Sequence, residues 1–205
     1  MLVILLMLPV VGARAQDNSR EQLVPVLGVT MDQQPTGVVA YLVVSFEERA
    51  DHDGLMIHFN HAPGSFSRMA QTAGEEAIYR AAHALGLSTD SWSVALSVPY
   101  DGITLYGESY SAMIALSVVA MAKGDFIPSD RVITGTVTPD GHIGAVGAIP
   151  LKVAAANEAH LHRVLIPDEQ DPADSAWETP FLMEISPVDS VIEAYHALID
   201  LPTTP

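Results

Sequence analysis

The chain contains no cysteine in its 205 residues, which removes disulfides, thiolate nucleophiles and cysteine-built metal sites together. Any nucleophile must therefore be an oxygen or a nitrogen. Basic residues are scarce: 9 Lys and Arg stand against 25 Asp and Glu, a formal net charge of −16. Nucleic-acid binding leans on clustered Lys and Arg, so DNA and RNA are not expected partners. The sequence also lacks any G-x-x-x-x-G-K-[ST] pattern, so no P-loop and no nucleotide partner are expected. Long apolar runs are missing too. The opening MLVILLMLPVVGARAQ is apolar only from Leu2 to Val11, shorter than the roughly 18 residues a spanning helix needs. With the small-x-small set Ala13-Arg14-Ala15 behind it, this stretch reads as a signal peptide over residues 1–15, although the usual positive charge ahead of the apolar run is absent. Export to the periplasm or the outside is the expectation, with an uncleaved membrane anchor as the alternative.

What remains is an ordinary globular composition, 49% apolar and 17% charged, long enough for one domain with a proper core. Residues 16–22 form a polar lead-in and 23–205 the domain. LVPVLGVT and GVVAYLVVSF (Gly37 to Phe46) read as strands of a hairpin, and GLMIHF (Gly54 to Phe59) as a third. From Arg68 to Leu85 the period changes: Met69, Ala73, Ala77, Ala81 and Ala84 recur at helical spacing, predicting a helix whose small face packs on a sheet. WSVALSV alternates as a half-buried strand, with Trp92, Val94, Leu96 and Val98 on one side. After the loop PYDGITLYGE, the run Ala112 to Ala122 is apolar on every face except Ser117, which predicts a core helix. RVITGTV, TPDG and HIGAVG read as strand, turn and return strand. Pro150 suits the first turn of a helix over LKVAAANEA, and HRVLIP is a short strand. DEQDPADSAWETP reads as an acidic, solvated loop, and Ser186 as the cap of a last helix buried through Val188, Ile192, Tyr195 and Ile199. Strands and helices are interspersed without a strict βαβ rhythm, so the fold class is α+β.

Two residues carry chemistry beyond packing. Ser111 sits at the first turn of the apolar helix, where free backbone N–H groups can receive the charge of an attacked carbonyl oxygen. It is either a helix cap or a nucleophile. Only two lysines occur, Lys123 and Lys152, and no anionic residue precedes Lys152 for eleven positions. In the first turn of a helix, both the macrodipole and an apolar setting disfavour the ammonium. Lys152 is either a snorkelling surface lysine or a neutral amine able to act as a general base.

GESYSAMIAL, ITGTVTPDGHIGAVGAIPLKVAAANEA and RVLIP together resemble the proteolytic domain of Lon proteases. The family's D-G-P-S-A-G motif is matched by Glu108-Ser109-Tyr110-Ser111-Ala112-Met113. Its T-G strand, glycine turn, apolar-G-G pair and lysine are matched in order by Thr134-Gly135, Gly141, Gly147-Ala148 and Lys152. The resemblance implies mixed sheets with packed helices, of the ribosomal protein S5 domain 2-like type. It implies Ser111 as nucleophile, Lys152 as general base, Thr134 orienting the lysine, Glu108 in support, and the amides of Ser111 and Ala112 as the oxyanion site. It also implies peptide or unfolded-protein substrates and a hexameric ring. Three positions depart from the pattern: Ser109-Tyr110 replaces Gly-Pro, Met113 replaces Gly, and Ala148 replaces the second glycine of the pair.

The expected function is thus an ATP-independent Ser-Lys endopeptidase needing no cofactor. The rival reading is a catalytically inactive Lon-like protein-binding module, for which Tyr110 and Met113 argue, and a third is self-processing only. The histidine pairs His58/His61 and His160/His162 lack a third ligand at a recognisable spacing, so no metal site is expected. Glu75-Glu76 reads as helix surface.

Overall fold

The computed structural model describes residues 19–169, 171–174 and 177–200; the expected signal peptide lies outside them. Valines, leucines and aromatics of the first third build three strands of the main sheet. β1 (Arg20–Val29) and β2 (Gly37–Glu48) form the expected antiparallel hairpin, but β1 starts inside the expected polar lead-in, since Arg20, Glu21 and Gln22 pair with Phe46, Ser45 and Val44. β3 (Met56–Phe59) is followed by the short β4 (Ser65–Phe66) and by α1 (Arg68–Ala84). β5 (Trp92–Ser97) alternates as its sequence predicts, burying Trp92, Val94 and Leu96. It enters between β2 and β3, antiparallel to the first and parallel to the second, giving the order β1-β2-β5-β3. The stretch expected to be wholly loop before the apolar helix contains β6 (Thr104–Leu105), which pairs in parallel with β4.

α2 (Ser111–Lys123) is buried from Ser111 through Met121, as expected for a run with no polar face, and stops at Gly124, whose φ of 76° is the left-handed conformation glycine adopts without strain. Its main partner is α1. The small-residue face of α1 therefore meets a helix and not, as expected, a sheet, because Ala70, Gly74, Ala77 and Ala81 let two helices approach closely. The buried face is also turned by about one residue from the expected one: Ala70, Gly74 and Ile78 are inside, while Met69 is exposed.

The predicted strand RVITGTV is two strands, β7 (Arg131–Ile133) and β8 (Thr136–Val137), interrupted at Thr134-Gly135; β9 (Ile143–Gly144) returns antiparallel to β8. α3 (Ile149–Glu158) carries Pro150 in its first turn as expected. β10 (Arg163–Pro167) is the centre of an all-parallel sheet, order β11-β10-β7, in which β11 (Glu184–Val188) is an edge strand.

Ser186 and Pro187 therefore lie in β11 and do not start a helix; proline is tolerated there because an edge strand can spare an N–H. The last helix, α4 (Val191–Ile199), begins one turn later. Ser190 accepts from the Glu193 amide at 3.2 Å and the Glu193 carboxylate accepts from the Asp189 amide at 3.0 Å, a reciprocal cap shifted by four residues from the expected one. Its buried residues are Val191, Ala194, Tyr195 and Leu198, with Ile192 exposed. Overall the architecture is the expected α+β arrangement of mixed sheets and packed helices.

One close approach seats α3 on the main sheet. A Cβ built on Gly37, at the start of β2, would lie 1.9 Å from the Leu151 carbonyl oxygen, whereas one on Gly28 across the hairpin would meet only Val38 Cγ2 at 3.5 Å. Gly37→Ala should therefore push α3 outward and destabilise the chain by about 1–3 kcal/mol. Gly28→Ala should be nearly neutral. Thermal melts of the two variants side by side check this.

Candidate active site

The start of α2 is held by the interruption between β7 and β8. Thr134 donates its amide to the Leu165 carbonyl at 3.1 Å, continuing the β7–β10 pairing for one residue. The chain then turns toward α2: the Gly135 amide donates to the Ser109 carbonyl at 3.0 Å, and the Ala112 amide donates to the Gly135 carbonyl at 3.2 Å. Thr134 Oγ1 donates to the same Ser109 carbonyl at 3.3 Å. Gly135 is required here because a Cβ on it would fall 2.7 Å from Ile143 Cγ2. Thr134-Gly135 thus clamps the turn that presents Ser111.

Ser111 is 1% exposed, yet its hydroxyl does not cap α2: the N-cap residue is Tyr110, which makes no side-chain cap bond. Ser117, by contrast, returns its hydroxyl to the Met113 carbonyl at 2.8 Å, the usual accommodation of serine inside a helix. The capping explanation for Ser111 is therefore removed by the geometry. Ser111 and Glu108 line a cavity of about 370 Å³, together with Arg68, Met69, Thr72 and Thr136. Glu76, exposed on the surface of α1 as expected, lines it as well and is ion-paired at 2.7 Å with Arg80 one turn on. These α1 residues carry no sequence motif. Met69 reads as core from spacing alone, and only the packing of α1 on α2 turns it to the cavity.

Tyr110 and Met113, the departures closest to Ser111, are both 2% exposed and packed into the interior. The Tyr110 hydroxyl donates to the Ala70 carbonyl at 2.6 Å, its ring lies against Phe66, and Gly74 makes room for it. Neither side chain is available to a partner.

Lys152 is 3% exposed on α3. Burial pushes its amine down to about 8, against the opposing pull of the Asp174 carboxylate. The other lysine is committed: Lys123 faces Asp125 at 3.8 Å and lies 4.5 Å above the Tyr195 ring centroid. Among the described residues the Lys152 amine has no hydrogen-bond or ion-pair partner. Among the described residues no fully buried side-chain nitrogen or oxygen lacks a hydrogen-bond partner. The unbonded tips of Ser111 and Lys152 therefore both keep a path to solvent.

The structure brings Ser111, Glu108 and Thr134 to one locus through the Ser109 turn. Lys152 is not hydrogen-bonded to any of them, and it does not line the cavity beside Ser111. Thr134 bonds the serine turn and not the lysine. The two amides expected to hold an oxyanion are occupied: Ser111 N donates to the Glu108 carbonyl at 2.9 Å and Ala112 N to Gly135. Among the described residues no group of three or more His, Asp or Glu side chains is arranged to hold a metal ion.

A residue missed at the sequence level is Asp174, in the acidic stretch read as solvated loop. Its two oxygens accept from the Ala148 and Ile149 amides at 2.9 and 3.0 Å, capping α3 from outside the helix. A single aspartate among many acids of that stretch carries no spacing signal.

Because the folded-state amine sits below its ordinary value, Lys152 opposes folding while it is charged. The unfolded chain binds more protons between about pH 8 and the ordinary value of 10.5, so stability rises with pH across that window. Lys152→Met should raise the melting temperature at pH 7, by about 1–3 kcal/mol of stability. The gain should shrink as pH approaches ten, which melts across that range would read.

The family model of the Lon protease (S16) C-terminal proteolytic domain matches residues 68–197, a span that contains Ser111, Thr134 and Lys152. The Lon protease of Phenylobacterium zucineum is 25% identical over 194 residues, covering 91% of this chain and 24% of that protein. The Lon protease of Rhizobium meliloti is 31% identical over 116 residues, 55% of this chain and 14% of that protein. The peroxisomal Lon protease homolog 2 of Caenorhabditis briggsae is 31% identical over 91 residues, 44% of this chain and 12% of that protein. The chain thus spans less than a quarter of the length of these curated relatives.

Proposed function

Because the chain belongs to the family of Lon protease C-terminal proteolytic domains, we propose that it is a serine endopeptidase in which Ser111 is the nucleophile and Lys152 the general base. The observation that carries this reading is the setting of Lys152: a buried amine with no hydrogen bond or ion pair among the described residues, which burial pushes down to about 8. A lysine used for structure would be paired or fully solvated; one used as a base must be able to lose its proton near working pH.

In the proposed cycle Lys152 Nζ takes the Ser111 hydroxyl proton as Oγ attacks the peptide carbonyl carbon. The resulting ammonium returns that proton to the leaving amine as the C–N bond breaks, leaving an acyl ester on Ser111. Water attacks the ester, giving its proton to Lys152, and the carboxylic acid departs as Oγ is reprotonated. The two side chains are not hydrogen-bonded in the free chain, and general-base contacts commonly tighten only when substrate is bound. Use of the Ser111 and Ala112 amides for the oxyanion requires the Glu108–Ser111 turn and the Gly135 clamp to open in the same step. Substrates are peptides or unfolded segments, and cleavage proceeds without ATP. A ring of six subunits and a periplasmic or secreted location belong to the same proposal.

The occupied amides and the absent Ser111–Lys152 bond favour a second reading, a domain that keeps the fold and binds unfolded protein without cutting it. Incubation of the chain with unfolded casein, without ATP, separates the two. The enzyme reading expects fragments, lost by at least about 10³-fold in Ser111→Ala and in Lys152→Ala. Casein retained on the protein but never cleaved would establish the binding module instead. The general base must be neutral, so the rate should climb with pH through about 8 and fall on the acid side. A rate independent of pH between about 6 and 10 would remove Lys152 from the role.

A further inference from the structure

α3 has no cap of its own. Its N-cap residue Ala148 lies in the left-handed region, with φ 60° and ψ 34°, and offers no side chain to the first-turn amides. Such amides, left unbonded, cost stability and leave the helix start loose. Asp174 supplies the missing acceptor from beyond β10, with one oxygen on each of two successive amides. Lys152 lies one turn into the helix, its own amide donating to the Ala148 carbonyl at 3.2 Å. The residue capped by Asp174 is thus also the one that accepts the backbone bond of Lys152.

The other charged groups on α3 and on the strands it packs against are either paired or remote from Lys152, Glu158 lying at the opposite end of α3 from its first turn. α3 packs on β1, β2 and β10. From β1, Arg20 bonds the Met121 carbonyl and Glu21 accepts from Ser45. From β2, Glu48 accepts from Ser91, and Glu47 lies with it at the exposed end of the strand, remote from Gly37. From β10, Arg163 is held by Glu184 and Asp200. Asp171 approaches Gly147 and accepts from the Ala173 amide. Among these, the charge that bears on Lys152 is Asp174.

We propose that Asp174 is a positioning residue for Lys152: its carboxylate, bound to the Ala148 and Ile149 amides, fixes the first turn of α3 and supplies the negative field at the lysine amine. This rests on the reading of Lys152 as general base, but its first test does not. The direction is fixed by sign. A carboxylate favours the ammonium, so removing its charge while keeping a hydrogen-bond acceptor should let the amine lose its proton at lower pH. The enzyme would then start working at lower pH.

Asp174→Asn keeps an acceptor oxygen and removes the charge. Asp174→Thr, a neutral cap of another shape, serves if the first variant does not fold. The chain has only two lysines, so with isotope-labelled lysine each Cε gives one resonance, and Lys123→Arg assigns them. The Lys152 resonance should titrate at lower pH in the neutral variants than in the parent, while Asp171→Asn moves it less. The casein rate at about pH 6.5 relative to about pH 9.5 should rise severalfold in parallel. Unchanged titration of Lys152 in both neutral variants would overturn the proposal. A titration that moves while the pH–rate profile stays put would uphold the action of Asp174 on Lys152 and instead defeat the assignment of Lys152 as base.

Discussion

A lysine amine buried without an anion in hydrogen-bond contact is costly, and several local features make sense as the means of tolerating it. α3 rests on Gly37 because no side chain could fit beneath the Leu151 carbonyl. Pro150 presets its first turn, and Asp174 binds the amides that would otherwise add an unscreened positive helix end to an already disfavoured ammonium. Together these let the amine stay buried with its pKa below the ordinary lysine value.

The serine is presented by a different device. A strand that should have run straight from Arg131 to Val137 instead leaves its neighbour β10 after Thr134 and spends its next hydrogen bonds on the Ser109 turn. The position of Ser111 is therefore coupled to the β7–β10 sheet, and that of Lys152 to the β1–β2 hairpin and to Asp174. In the free chain the serine turn is closed on itself, with the Ser111 and Ala112 amides both satisfied. In the proposed peptidase both amides must be released from these bonds before they can hold an oxyanion.

The departures from the Lon motif acquire a physical meaning in the packed structure. Tyr110, which stands where the family has proline, threads its ring between Phe66 and α1 and anchors on the Ala70 carbonyl, with Gly74 left open beneath it. Met113 fills core. Both are changes to how α2 packs on α1, one layer behind the hydroxyl, and neither enters the cavity that Ser111 faces.

Much of this was legible before folding. Alternation in WSVALS and the unbroken apolar run of α2 each report one element's burial, a property carried by nearest neighbours along the chain. The order of Ser111, Thr134 and Lys152 identified the family, because those spacings are held by the loops and turns between them. Local signals misled where two elements compete for the same residues: Ser186-Pro187 has the chemistry of a helix start but is claimed by the β10 edge, and Ser190 takes the cap. Which side of α1 is buried, which lysine is left unpaired, and which of many aspartates closes α3 depend on contacts between residues far apart in sequence. Those contacts are set by close packing in three dimensions, and no period or composition along one dimension encodes them.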